Sequence, residues 1–434
     1  MSHKPQRSPT LVRAIGRWSL TAAIVNGVVG ASIFVMPATI TGMVGAASPI
    51  AVLAAGAVIF IVVLCFAEVG SRFVDAGGPY LYTRDAFGPA IGFQVGWLHV
   101  WIRLFSCAAI LNVFVTYLGV LLPVAATGAG RTVTMTTVMA VVTGLNISGI
   151  RQASWTVNVF TIAKLLPLVL LIVLGTINFR QDVITTQTVS SSNWIDALIL
   201  LVFAYGGFES AVTCASETRN PRGDTAFALS VGMAAVVAVY GLVQVSVIGV
   251  LPRAADHAAP VASALGELLG SAGVALASAT ALIAGSGWLM GFAQMTPRIL
   301  YAMAQRHELP AALGHVHAQY RTPHVAILLN SCAALALGLY GSFVAAAALA
   351  AIPRLIIFGL TCAALIVLRR RATDTPGFRL PAGPLFAVLG TLICGWLLST
   401  RSVEQAWILI ALVAAGFVLR MAGRGSPALS SSDA

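Results

Sequence analysis

Apolar runs about as long as a bilayer is thick recur along this chain, and they limit its fold more than any other feature. A helix that crosses hydrocarbon needs about 20 mostly apolar residues. Twelve stretches qualify, at roughly 18–39, 46–70, 88–121, 131–148, 155–177, 195–216, 226–250, 271–297, 323–340, 343–368, 384–400 and 403–421. Of the 434 residues, 58% are hydrophobic and only 9% charged, whereas a soluble domain carries about 25% charged residues. That is too little polar sequence to surface a soluble fold. The expected class is an all-α integral membrane protein with about twelve transmembrane helices. The third run is long enough to tilt or leave the lipid, the threonine-rich fourth is marginal, and the eighth has the pattern to continue past Arg298.

The distribution of basic residues supports this count. With both termini in the cytoplasm, eighteen Lys and Arg fall in inner segments, four in outer segments and three inside spans. Positive charge retained on the inner side is the usual bias, and miscounting one helix would scramble it. The net charge of +11 is therefore assigned to membrane topology, and no nucleic acid partner is expected. The chain expects a cell inner (plasma) membrane location, with the lipid bilayer as its solvent. No cleavable leader is expected, because the basic start runs into a long apolar segment without a short h-region. Cys65, Cys107, Cys214, Cys332 and Cys362 read as small buried side chains, without metal or disulfide spacing. The tail 422–434 reads as disordered, and no soluble domain is left over.

Two of the spans contain residues that interrupt helices. The first holds "VVGASIFVMP" and the sixth "FAYGGFESAVTCASE". Glycine inside a helix costs about 1 kcal/mol relative to alanine. Each stretch leads a set of five spans, which suggests two five-helix halves, each opened by a discontinuous helix. Such a break exposes N–H groups at one half-helix and carbonyls at the other. The N–H groups favour a carboxylate, and carbonyls favour an ammonium. A zwitterion is thus held without a buried charged side chain, with Gly30, Ala31 and Ser32 at the first break. Close helix packing through small residues is the alternative use of the same pattern.

These residues resemble signatures of the amino acid–polyamine–organocation transporters. "GVVGASIFVMP" is similar to that family's first-helix motif and "FAYGGFESAVTCASETRNPRGD" to its sixth. "PRILYAMAQRHELP" with "RTPHVAI" resembles the segment after the eighth helix, and "TPGFRLPAGPLFAVLG" the loop before the eleventh. The resemblance implies a 5+5 inverted repeat with two trailing helices. It divides the chain into a cytoplasmic segment 1–17, repeats 18–177 and 195–368, trailing helices in 384–421 and the tail. It also implies transport by alternating access. Gly30, Ala31 and Ser32 match the segment that receives the substrate carboxylate. Phe203, Ala204 and Tyr205 match the segment that receives the amino group, and Gly206 and Gly207 the flexible break. The sequence departs from the family in placing Ala31-Ser32 where many members have Ser-Gly, and Ala226 where many have proline.

Three cationic residues lie inside spans. Lys164, in "NVFTIAKLLPLVLLIVLG", sits deep in the fifth, where a lysine is costly and usually functional; snorkelling is its alternative. By resemblance it occupies the sodium position of sodium-coupled relatives, which favours coupling to H+ or simple exchange and disfavours Na+. Glu209 follows the sixth-helix break. It is read as a protonatable latch, a selector of cationic cargo or a carboxylate satisfied by nearby N–H groups. Arg103 is assigned a coupling or gating role, with Glu209 or Glu68 as its expected contact. Arg354 is read as supporting packing or a gate. Trp288 and Phe292 sit in the eighth span, where either ring is read as a cover for cargo, with helix packing as the alternative, and Phe292 joins the substrate-contact candidates. Glu217, Arg219 and Asn220, with Arg72 and Arg84, are read as gate or loop contacts at the cytoplasmic mouth.

No nucleotide loop, zincin motif or nucleophile elbow occurs, so neither catalysis nor a cofactor is expected. A channel filter and a soluble receptor domain are likewise absent from the pattern. The expected activity is secondary transport of amino acids, most simply neutral L-amino acids by proton-coupled symport or exchange. An antiporter or permease for basic amino acids or polyamines is the alternative. The expected partner is a small zwitterionic or amine substrate, and a homodimer is the assembly considered.

Overall fold

The computed structural model describes residues 16–73, 77–149, 154–181, 189–209, 218, 220–371 and 377–424. Cys214, Glu217, Arg219 and the tail beyond 424 lie outside the described residues. Where described, the apolar runs are helical. The first becomes α1 (Arg17–Val28), a 3-10 turn (Ala31–Phe34) and α2 (Met36–Val44). Next come α3 (Ser48–Arg72), α4 (Gly78–Phe87), α5 (Pro89–Leu121), α6 (Gly128–Ile147) and α7 (Ser154–Ile177). The second part holds α8 (Ser191–Ala204), α9 (Pro221–Val250), α10 (Pro260–Leu269), α11 (Ser271–Gln305), α12 (His324–Tyr340) and α13 (Phe343–Arg370). Two last helices follow, α14 (Gly383–Ser399) and α15 (Val403–Arg424).

This is an all-α, multi-pass membrane bundle. Among the described residues six helical stretches are long and apolar enough to cross a bilayer, and five shorter apolar helices accompany them. The threonine-rich α6 belongs to neither group. As its sequence suggested, α11 runs past Arg298, to Gln305. Two helices, α4 and α10, occupy stretches that the sequence reading left as loops. Both are only 10 residues long, below the length at which an apolar period stands out.

Large apolar side chains are exposed on the bundle's periphery: Val173 on α7, Leu328 and Leu329 on α12, Leu392 on α14 and Trp407 on α15. A soluble protein does not leave such surface open to water; a bilayer requires it. Cys332, expected to be buried, is exposed on this same face of α12, unlike Cys65, Cys107 and Cys362. A thiol is apolar enough to sit against lipid. Inside, one continuous core joins α1, α3, α5, α8, α9, α11 and α13.

The two interruptions have local causes. The amide of Val29 still reaches back to Val25 O, but Gly30 is extended (φ −96°, ψ −166°). Pro37 then lies in the first turn of α2, where its missing N–H costs nothing. In the second half, α8 ends at Ala204, and Gly207 has φ +122°, a conformation that glycine tolerates far better than other residues.

Candidate substrate site

The two breaks meet. A Cβ on Gly207 would lie 2.5 Å from Gly27 O, so backbone packs on backbone with no room for a side chain. Tyr240 of α9 joins the same ends: its hydroxyl is 2.9 Å from Val28 O and 3.2 Å from Ala204 O. Tyr240 therefore shares one proton between the last carbonyls of two interrupted helices, each of which lacks an intrahelical donor.

Beside this junction lies a cavity of about 360 Å³ bounded by α1, α5, α7, α8, α11 and α13. Gly30, Ser32, Phe203, Ala204, Gly206, Lys164, Glu209 and Arg103 all line it. Residues 26 to 354, far apart in sequence, are thus gathered around one space. Ala31, Tyr205 and Phe292 are fully buried and are not among the lining residues. Tyr205 turns outward from the cavity to donate to Val52 O on α3, at 2.9 Å. Phe292 stacks against Trp288 at 5.8 Å, and Trp288 is the ring that faces the space. The sequence reading did not single out His99 and Ser106. His99 stands four residues before Arg103 on the same helix face, a spacing that could have disclosed it.

The cavity's ionisable groups are held by specific partners. Lys164 Nζ donates to Asn26 O at 2.5 Å, two residues before the end of α1. Glu209 accepts from Gly207 N at 2.8 Å and from Arg354 Nε at 3.1 Å. Arg354 also donates through Nη1 to Phe203 O at 3.2 Å. A Cβ on Gly206 would fall 2.2 Å from that guanidinium, which explains the glycine. Phe203 O additionally accepts from Gly206 N, so both its lone pairs are in use. Ala204 O, with Tyr240 as its partner, keeps one open among the described residues.

Arg103 does not make the expected ion pair with Glu209 or Glu68. Its Nε donates to Thr296 Oγ1 at 2.7 Å, its Nη2 lies 3.4 Å from Gly291 O, and its guanidinium sits over the Trp288 ring. Both carboxylates are taken by other arginines. Glu68, fully buried, accepts from Arg72, from Arg369 at 2.8 and 2.5 Å and from Leu380 N. That clamp ties α3 to the end of α13 and to the segment before α14, away from the cavity.

A second cavity of about 450 Å³ shares His99, Arg103 and Met295 with the first. Its walls come from α4, the start of α5 and the end of α11, and include Tyr80, Arg84, Arg298 and Arg306. Arg84 and Arg306 both donate to the Tyr80 hydroxyl, at 3.0 and 2.9 Å. The two spaces meet at those three residues, the first beside the helix breaks and the second against α4. Among the described residues no group of His, Cys, Asp and Glu is placed to hold a metal ion.

The family model for amino acid permeases matches residues 15–421. The chain belongs to the amino acid permease family. It is therefore a multi-pass membrane transport protein rather than an enzyme. It is 25% identical to the serine/threonine exchanger SteT of Bacillus subtilis (strain 168), covering 87% of this chain and 89% of that protein. It is 26% identical to the branched-chain amino acid permease BcaP of the same organism, over 93% and 92%. The methylthioribose transporter of that organism is 24% identical, over 90% and 88%. Similarity thus runs the length of the permease, while the named cargoes differ.

Proposed function

We propose that this permease is a secondary-active transporter of α-amino acids that works by alternating access. The observation that carries this reading is the cavity at the meeting of two interrupted helices. The Ala31–Ser32 segment offers the amides of a new helical turn to a carboxylate, the Gly30 amide being bonded to Val28 O, and the lone pair of Ala204 O left open among the described residues accepts an ammonium. Those two groups are common to every α-amino acid. The names of SteT and BcaP, a serine/threonine exchanger and a branched-chain permease, support cargo of this class, with neutral L-amino acids as the baseline.

In this reading the chain has twelve spans arranged as a 5+5 inverted repeat with two trailing helices, and α1 and α8 open the two repeats. Both termini are cytoplasmic in the plasma membrane. The second cavity, whose arginines belong to segments assigned to the inner side, is then the cytoplasmic vestibule of an inward-facing state. Lys164, bonded to the end of α1, supplies a fixed cation near the first break, which supports H+ coupling or exchange without Na+. The alternative of polyamines or basic amino acids needs a free acid in the site. Glu209, engaged by Arg354 and Gly207 N, does not offer one in this state.

Radiolabelled leucine and serine uptake into proteoliposomes of the purified protein, with pH and Na+ varied, tests the proposal. Saturable, Na+-independent uptake that responds to a proton gradient or to internal amino acid is the expected result. An absolute Na+ requirement would refute the coupling assignment.

A further inference from the structure

We propose that the preferred cargo carries a second acidic group on its side chain, and that Arg103 receives it. This rests on the reading of the first cavity as an amino acid site and narrows the class of amino acid.

The inference starts from charge balance. Among the described lining residues of that cavity, Lys164, Arg103 and Arg354 are cations, and Glu209 is the carboxylate. Glu209 is used by Arg354, and Lys164 is bound to Asn26 O. Among the described residues Arg103 has no acid within hydrogen-bond reach. A guanidinium has five N–H donors; here Nε is well bonded and Nη2 has one long contact, while Nη1 has no hydrogen bond among the described residues. Arg103 is half-buried and lines both cavities, and a cation inside a membrane bundle usually pairs with an acid. A carboxylate on the cargo supplies that partner, and it matches the planar fork with two parallel bonds.

Position supports the same conclusion. Arg103 lines both cavities, at their junction. Arg84 and Arg306 face each other across Tyr80 in the second cavity, joined there by Arg298, while Glu308 is the acid among its lining residues. Like charge lining a cleft concentrates the opposite charge within it. An anionic amino acid meets attraction along this route, whereas a cationic one meets Arg103 with no acid among the described lining residues of the first cavity left unpaired to offset it. The zwitterionic head stays at the breaks, and the side chain extends toward Trp288 and Arg103.

L-glutamate and L-glutamine test this, because they share shape and differ in charge. Each competes against a labelled amino acid in proteoliposomes of the full-length protein. The wild type is expected to favour glutamate by at least about tenfold, as a charge-assisted bond outweighs a neutral one. R103Q should bring the ratio to within about threefold, and R103K should fall between; a monodisperse size-exclusion profile checks that each variant folds. Equal competition by glutamine and glutamate in the wild type overturns the inference while leaving amino acid transport intact. If no amino acid in a panel of glutamate, glutamine, leucine, serine and lysine binds or moves, the underlying site assignment fails with it. The wild-type ratio is decisive even if R103Q does not fold.

Discussion

Arg354 and Glu209 form an ion pair 3.1 Å long between side chains that are 7% and 3% exposed. Removing one member of a buried pair leaves the other uncompensated, which costs about 3–5 kcal/mol. E209Q and R354Q alone should each lower the apparent melting temperature of the detergent-purified protein. The double variant should melt closer to the wild type than the two losses combined imply. Additive losses would show that the pair is not energetically coupled.

Glycine is required where the breaks touch. G207A places a Cβ 2.5 Å from Gly27 O, at φ +122°, and that conformation alone costs a non-glycine residue about 1–3 kcal/mol. We expect lower thermal stability and at least about tenfold slower uptake. Gly395, in α14, has nothing within 4 Å of a built Cβ, so G395A serves as a matched control with near-wild-type uptake. Wild-type behaviour of G207A would mean that the junction is looser than described.

Lys164 gives a third prediction. Exchanging Na+ for choline should leave wild-type uptake unchanged, while K164A, which frees Asn26 O, should slow it by about tenfold or more. The loss should persist across the pH range tested, because the bond from Lys164 to Asn26 O is absent at every pH in the variant. Normal K164A transport across that range would remove the residue from the mechanism.

The clamp at Glu68 separates stability from selectivity. E68Q turns one acceptor toward Arg369 or Arg72 into a donor, so a loss of several kcal/mol is expected, seen as a reduced melting temperature. Because Glu68 lies outside both cavities, the glutamate-to-glutamine ratio of surviving protein should not change. A shifted ratio would implicate the clamp in recognition.

Much of the architecture was legible because bilayer spans are written in continuous apolar length, and helix interruptions in glycine and proline. Gly30, Gly206 and Gly207 were visible for that reason. Pairings were not: Glu209 and Arg354 are 145 residues apart, and nothing local told Glu209 from a free acid or gave Arg103 its Thr296 contact. Trp288 and Phe292 share a helix face at i and i+4, so their spacing alone could not say which ring met the cavity. The short α4 and α10 escaped because ten residues hold fewer than three helical turns.

The hydroxyl of Tyr240 touches the final carbonyls of both α1 and α8. Swinging either half-helix outward withdraws its own carbonyl from that hydroxyl while the other keeps it, so both arms of the permease are geared to a single phenol. Y240F would uncouple that gearing without altering the shape of the hinge.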